Sequence, residues 1–277
     1  MTIFKLFCVG FLVSFVCAYG DALKPIRIGI APHSSPRLIF ESHQDLKKYL
    51  EATFQRPVQL LTAKTFSEFA KQCNEGTKYD LILTSPNLAY LAQHVAHYTP
   101  VMTYTKGLEV MILGSSASIL QSGRKPLKIA GQDPVSFITL LGEEWFEEQG
   151  LKEGEAIAYH YYISASDSLA MLLLNHEVDL IMISLPNYLR LSDALKSTLP
   201  VIYHSTPKPS RIFMVHASSE ISLEKWQEVL KDFSKSKDGE DHLKIIQLEG
   251  YQMLDINALD SMKRLGEKTS KRLEMGN

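Results

Sequence analysis

Two stretches decide how this chain folds. The first is Tyr79-Asp80-Leu81-Ile82-Leu83-Thr84-Ser85-Pro86-Asn87-Leu88-Ala89-Tyr90-Leu91. The second is Val178-Asp179-Leu180-Ile181-Met182-Ile183-Ser184-Leu185-Pro186-Asn187-Tyr188-Leu189. Each opens on Asp, runs through a short apolar segment to Ser, and turns at a Pro-Asn pair. An apolar run bounded by turn formers reads as a strand buried on both faces. Pro fits the first turn of the helix that follows, where its missing N–H has no intrahelical partner. Two such strand–turn–helix joints predict two similar α/β lobes, with a ligand held where the strand ends face each other.

Outward from the first joint, the pattern is βαβαβ. Pro25 to Ala31 is a strand, Leu38 to Phe54 a helical pattern with some irregularity, Val58 to Leu61 a strand, and Thr65 to Cys73 a helix. The same rhythm precedes the second joint, through strand Leu127 to Ala130, helix Val135 to Gln149, strand Ala156 to Ile163 and helix Ser166 to Asn175. Right-handed crossovers then imply a largely parallel sheet in each lobe. Pro207 and Pro209 hold an extended passage back to the first lobe. Strand Arg211 to His216 and helix Ser222 to Phe233 follow, with Ser222 as N-cap. The tail, Gly250 to Leu273, contains a helix expected to pack on the first lobe, with Lys263 to Lys271 as its solvated face.

Residues 1–20 read differently. Lys5 is the lone charge before Asp21, and Leu6 to Val16 is an apolar run of about eleven residues, short for a membrane span. Ala18-Tyr19-Gly20 has small residues at cleavage spacing, so 1–20 is expected to be a secretory signal peptide. A lipid anchor at Cys17 is disfavoured by the bulk of Val16. Cleavage leaves 28 basic against 31 acidic residues. That near-neutral balance gives no case for nucleic acid. It also leaves Cys73 alone, so no internal disulfide forms, and its spacing from Phe69 makes it a buried thiol.

In this order and spacing, the chain resembles the phosphate/phosphite/phosphonate-binding family of periplasmic substrate-binding proteins. The resemblance rests on Ile28-Gly29-Ile30-Ala31-Pro32 with Ser35-Pro36, on Leu46 to Leu50 before Pro57-Val58, and on Tyr79-Asp80 to Tyr90. It continues through Ile129-Ala130-Gly131-Gln132-Asp133-Pro134 and Val178-Asp179. It implies a two-lobed type 2 periplasmic binding fold, each lobe a mostly parallel sheet flanked by helices, joined by two crossing segments. The expected division is 24–104 with 208–277 for the first lobe and 105–207 for the second. The implied activity is non-enzymatic: capture of a small, anionic ligand and delivery to an ABC permease, by a periplasmic monomer without cofactor. The alternative is a ligand-sensing partner of a membrane receptor. Two departures stand out. Val135-Ser136-Phe137-Ile138-Thr139 replaces the Ser-Thr-Ser-Gly run of the family's phosphonate binders, and Ser164-Ala165-Ser166-Asp167 stands where a His is usual.

Candidate ligand contacts follow from position. Ser85 and Ser184 end the two repeated strands, Ser136 lies at the start of the helix Val135 to Gln149, near the position where the resemblance implies anion binding, and Ser164 precedes the next helix. Free N–H groups at a helix start favour an anion by roughly 0.3–1 kcal/mol when exposed and up to about 2 when partly buried. The plain alternative is that each Ser only caps its helix. Tyr104, on the first crossing, has ring area and a hydroxyl for a ligand or for the core. His33 follows the first strand, and Tyr90 lies past the first turn after Ser85, where core packing competes. Asp80 and Asp179 open their strands, at the end opposite the cleft, so they are expected to cap backbone. His94 and His97 lack a third partner for a metal, and no catalytic motif is present.

Overall fold

The computed structural model describes residues 23–161, 166–254 and 256–275. The chain begins β1 (Ile26–Ile30), α1 (Pro36–Ser42), α2 (Gln44–Phe54), β2 (Val58–Leu61), α3 (Phe66–Asn74), β3 (Leu81–Thr84), α4 (Pro86–Val95) and β4 (Tyr98–Tyr104). A second unit follows: β5 (Val110–Gly114), β6 (Leu127–Gly131), α5 (Phe137–Glu148), β7 (Ile157–Tyr161), α6 (Ser166–Leu174) and β8 (Leu180–Ser184). It ends with α7 (Leu185–Arg190), α8 (Asp193–Thr198) and β9 (Val201–His204). The chain then returns through β10 (Ile212–His216), α9 (Leu223–Lys235), α10 (Lys237–Ile246), β11 (Tyr251–Met253) and α11 (Lys263–Glu274).

These strands form two sheets, ordered β11-β4-β10-β3-β1-β2 and β9-β5-β8-β6-β7. In each, three neighbours run parallel, β2-β1-β3 and β7-β6-β8, as the βαβαβ rhythm requires. The strand that arrives from the other lobe, β10 or β5, lies antiparallel against β3 or β8, so both sheets are mixed. Strands β3, β5 and β8 are buried along their whole length, which is why their sequences do not alternate. Trp226 and Phe233 of α9 pack against the first sheet, and Phe137 and Phe146 of α5 are buried in the second lobe. Each contributes about 1.5–3 kcal/mol by leaving water. Cys73 is a buried free thiol, and burial pushes its pKa up.

The sequence repeat extends to hydrogen bonds. The Asp80 carboxylate accepts from the Arg27 backbone N–H at 2.7 Å and from its Nη2 at 2.8 Å. The Asp179 carboxylate accepts from the Lys128 N–H at 2.8 Å and from Arg124 Nη1 at 2.5 Å. In both, the Asp N–H donates back to the same neighbour's carbonyl at 2.8 Å. Each Asp therefore closes the ladder at the start of the adjoining strand, far from the strand ends that hold Ser85 and Ser184.

Some elements differ from the sequence expectation. The irregular pattern over Leu38 to Phe54 is two helices, broken at a buried His43 whose Nδ1 bonds the Ile39 carbonyl at 2.8 Å. Helix α11 does pack on α4, but its cations are not simply solvated; Arg264, Lys268 and Arg272 face carboxylates of α5. The two passages between sheets touch. The Leu108 N–H donates to the Lys208 carbonyl at 2.9 Å, and the Lys208 N–H to Leu108 at 2.8 Å. Gly107 permits this approach, since a Cβ there would lie 2.6 Å from the Lys208 carbonyl oxygen. Residues 1–20 with Cys17, and Ser164, lie outside the described residues.

Candidate ligand-binding site

Short strands that stop at Ser place helix N-termini in the space between the sheets. Ser85, Ser136 and Ser184 are the N-caps of α4, α5 and α7. Ser184 accepts weakly from the Asn187 N–H at 3.4 Å, as an ordinary cap does. Ser85 and Ser136 make no side-chain cap bond. The Ser85 hydroxyl instead donates to Asn87 Oδ1 at 2.8 Å. All three serines and His33 line one cavity of about 30 Å³. Its other polar residues are Gln132, Asn187 and Arg211; Ala31, Phe66, Leu108, Phe137 and Ile138 supply apolar wall. The walls come from both lobes.

Arg211 is the residue that sequence reasoning passed over. It stands just before β10, immediately after the return crossing, and is 8% exposed. Among the described residues no carboxylate pairs with its guanidinium, and the cation whose charge acts on it is Arg190. Burial lowers its pKa to about 10, so the group stays charged at neutral pH. The available signal was a lone cation heading an otherwise apolar strand after Pro-Lys-Pro-Ser. His33 is different. Burial, then Arg211 and His43, hold its pKa well below the usual histidine value, so it is neutral at pH 7. Its Nδ1 lies 2.8 Å from the Ala31 carbonyl, which fixes the proton on that nitrogen. The cavity thus combines one buried cation, serine hydroxyls and helix N-termini, a donor set suited to an anion.

The other expected residues lie elsewhere. Tyr104 is 1% exposed on β4, with its ring between Phe213 and Tyr251 at 5.8 and 4.9 Å, and does not line the cavity. Tyr90 stacks on His94 at 4.1 Å and lies under Gly266 of α11, so it serves helix packing. Among the described residues, no group of three His, Cys, Asp or Glu is placed to hold a metal, and no helix is long and apolar enough to cross a membrane. A larger depression of about 370 Å³ surrounds Arg27, Arg56 and Asp80. Its arginines are committed to Asp80 and Glu220, which leaves them little to offer a ligand.

Contacts between the lobes surround the cavity. Asp133, after β6, accepts from the Ser67 N–H of α3 at 3.2 Å and from its hydroxyl at 3.1 Å. Asn87 donates through Nδ2 to the Val135 carbonyl and to Thr269 Oγ1, both at 2.9 Å. Glu143 of α5, 1% exposed at its side chain, takes Arg272 at 2.7 Å, Lys268 at 2.9 Å and the Tyr161 hydroxyl at 2.8 Å. Arg264 pairs with Glu144, and Lys268 also reaches Glu147 at 3.2 Å. On the far side, Arg190 of α7 donates to the Ile245 carbonyl of α10 at 3.1 Å.

Residues 28–259 match the model of a family described as ABC transporter, phosphonate, periplasmic substrate-binding protein. Among curated protein sequences none matches the chain. Solved structures with the same fold include a binding protein component of an ABC phosphonate transporter from Pseudomonas aeruginosa. It is 16% identical, with a TM-score of 0.75 over 91% of this chain and 94% of that one. A Prochlorococcus marinus protein in complex with methylphosphonate is 13% identical, with a TM-score of 0.75 over 90% and 99% of the two chains. A Xanthomonas citri protein bound to chloride ion is 15% identical, with a TM-score of 0.70 over 91% and 99%.

Proposed function

The chain belongs to the phosphonate family of periplasmic substrate-binding proteins of ABC transporters, and from that premise we propose that it captures a small anion between its lobes for delivery to the permease. The family is one of transport components, not enzymes, and it favours transport over the sensory alternative. We take the ligand to contact Ser85, Ser136, Ser184 and His33, with Arg211 supplying the charge. The observation that carries this reading is the buried Arg211 guanidinium, unpaired with any described carboxylate, in a cavity beside the N-termini of α4 and α5. A buried cation without a counter-charge is costly unless something anionic completes it. The methylphosphonate of the Prochlorococcus relative and the chloride of the Xanthomonas relative are of the sign this site would take.

We assign residues 24–104 with 208–277 to the first lobe and 105–207 to the second, hinged where Leu108 and Lys208 pair. Export by a cleaved signal over residues 1–20 and action as a monomer belong to the same reading. A cavity of about 30 Å³ holds on the order of two water molecules, so a compact headgroup suits it best. The test is a thermal-shift and calorimetric panel of phosphate, phosphite, methylphosphonate, sulfate and chloride. Ligand at about 100 times its Kd should stabilise the protein by about 2.7 kcal/mol. A panel in which no anion raises the melting temperature overturns the proposal.

A further inference from the structure

We infer that Arg211 makes this site selective for anions that carry no ammonium group, so that an amine-free phosphonate is accepted and its aminated counterpart is rejected. The inference rests on the anion-binding reading above and narrows its ligand class.

The argument is one of charge inventory. A zwitterionic ligand needs an anion-binding end and, within a few ångströms, a carboxylate or a cluster of carbonyls for its ammonium. Among the described residues lining the cavity there is no Asp or Glu. The carboxylate nearest in sequence, Asp133, is already engaged by the Ser67 N–H, the Ser67 hydroxyl and the Val135 N–H. The adjoining depression around His33 holds Glu41, but that carboxylate is paired with Arg37 at 2.7 Å. The same depression contributes Arg190, a second cation whose charge acts on Arg211. His33 is neutral and adds no negative charge. The remaining lining is polar but uncharged at Ser85, Ser136, Ser184, Gln132 and Asn187, and apolar at Ala31, Phe66, Leu108, Phe137 and Ile138. An alkyl substituent suits the apolar part of this wall, whereas an ammonium group would lose hydration there and meet the Arg211 guanidinium with no carboxylate to offset it.

Arg211 is suited to this role for a second reason. It is more than nine-tenths buried and its guanidinium has no described hydrogen-bond or ion-pair partner, so its donors are free for the ligand. A planar, bidentate donor matches two oxygens of a phosphonate, phosphite or carboxylate better than a lysine ammonium would.

The test uses matched pairs that differ by one ammonium group: methylphosphonate against aminomethylphosphonate, and ethylphosphonate against 2-aminoethylphosphonate. Binding to the full chain is followed by isothermal titration calorimetry at pH 7. The expected result is at least tenfold weaker binding of each aminated member. Arg211→Met should weaken methylphosphonate at least tenfold and shrink the gap within each pair. Arg211→Lys should retain the gap with a smaller loss of affinity. If Arg211→Met does not fold, as circular dichroism would show, the wild-type pairs and Arg211→Lys decide. Aminated members that bind as well as the amine-free ones overturn the selectivity inference and leave the anion site standing. Failure of every phosphonate, together with phosphate, phosphite and sulfate, overturns both.

Discussion

His43 and His242 lie edge to face inside the first lobe, ring centroids 5.0 Å apart. Each is held through Nδ1 by a backbone carbonyl, Ile39 for one and Ser42 for the other, while each Nε2 is buried without a partner. Burial lowers their pKa values to about 3 and about 4, with the mutual charge a further cause for His43. Both are neutral in the folded protein but titrate near 6.5 when unfolded. The unfolded chain therefore binds more protons between those values. Stability is fully present above about pH 6.5 and falls as pH drops toward 4, by roughly 1.4 kcal/mol per unit for each ring. Urea denaturation at pH 7.5, 6.0 and 5.0 should show this slope, and His242→Phe should flatten it. A midpoint unchanged from pH 7.5 to 5.0 in the wild type would contradict the assignment. Arg211 belongs to the same class of buried group but keeps its charge at neutral pH.

Among the elements, α4 and α11 are joined most closely where Gly266 meets Tyr90. A Cβ at Gly266 would lie 2.2 Å from the Tyr90 ring, so Gly266→Ala must displace that ring or shift the helices. Overpacking of this kind costs about 1–3 kcal/mol. The expected outcome is a lower urea midpoint together with weaker anion binding, because α11 also carries the cations that face α5. Unchanged stability would show that the helix pair yields freely. The strand–turn–helix joints were legible in the sequence because their signals are local: an Asp at the strand start, an apolar run, and a Pro in the first helical turn. So was the placement of Ser85, Ser136 and Ser184 at helix starts. What was not legible depends on partners distant in sequence. Tyr104 and Tyr90 have the right residue type for a ligand, yet β11 and α11 pack against them. Arg211 reads as the start of a strand until β10 is seen to enter between β4 and β3. Periodicity fixes which face a residue takes on its own element, not which neighbour covers that face.

At the scale of the whole molecule, the lobes are joined by the two crossings and by a row of charges, with Arg264, Lys268 and Arg272 opposite Glu143, Glu144 and Glu147. Glu143 is buried, so removing its partner Arg272 should cost about 3–5 kcal/mol and reports on folding more than on closure. The Arg264–Glu144 pair is exposed on the cation side and does not involve Glu143, so it is the better probe. With Arg264→Ala, we expect a larger radius of gyration in small-angle scattering without ligand, and an apparent Kd weakened in proportion to the lost closed fraction. Salt raised toward about 1 M should mimic the variant, since the screening length falls there to about 3 Å, comparable with the separation in such pairs. Equal radii for variant and wild type would show that the row does not govern closure.

The bonds that cross between the lobes also set a clock. Because the cavity wall is contributed from both sides, release of the anion proposed above should be coupled to parting of Ser67 from Asp133, Asn87 from Val135 and the α11 cations from α5. On that reading we expect its residence time to follow the lifetime of these contacts. Two ligands of different strength that both permit closure would share nearly the same slow release, and a transporter that pulls α11 away from α5 would shorten it for both.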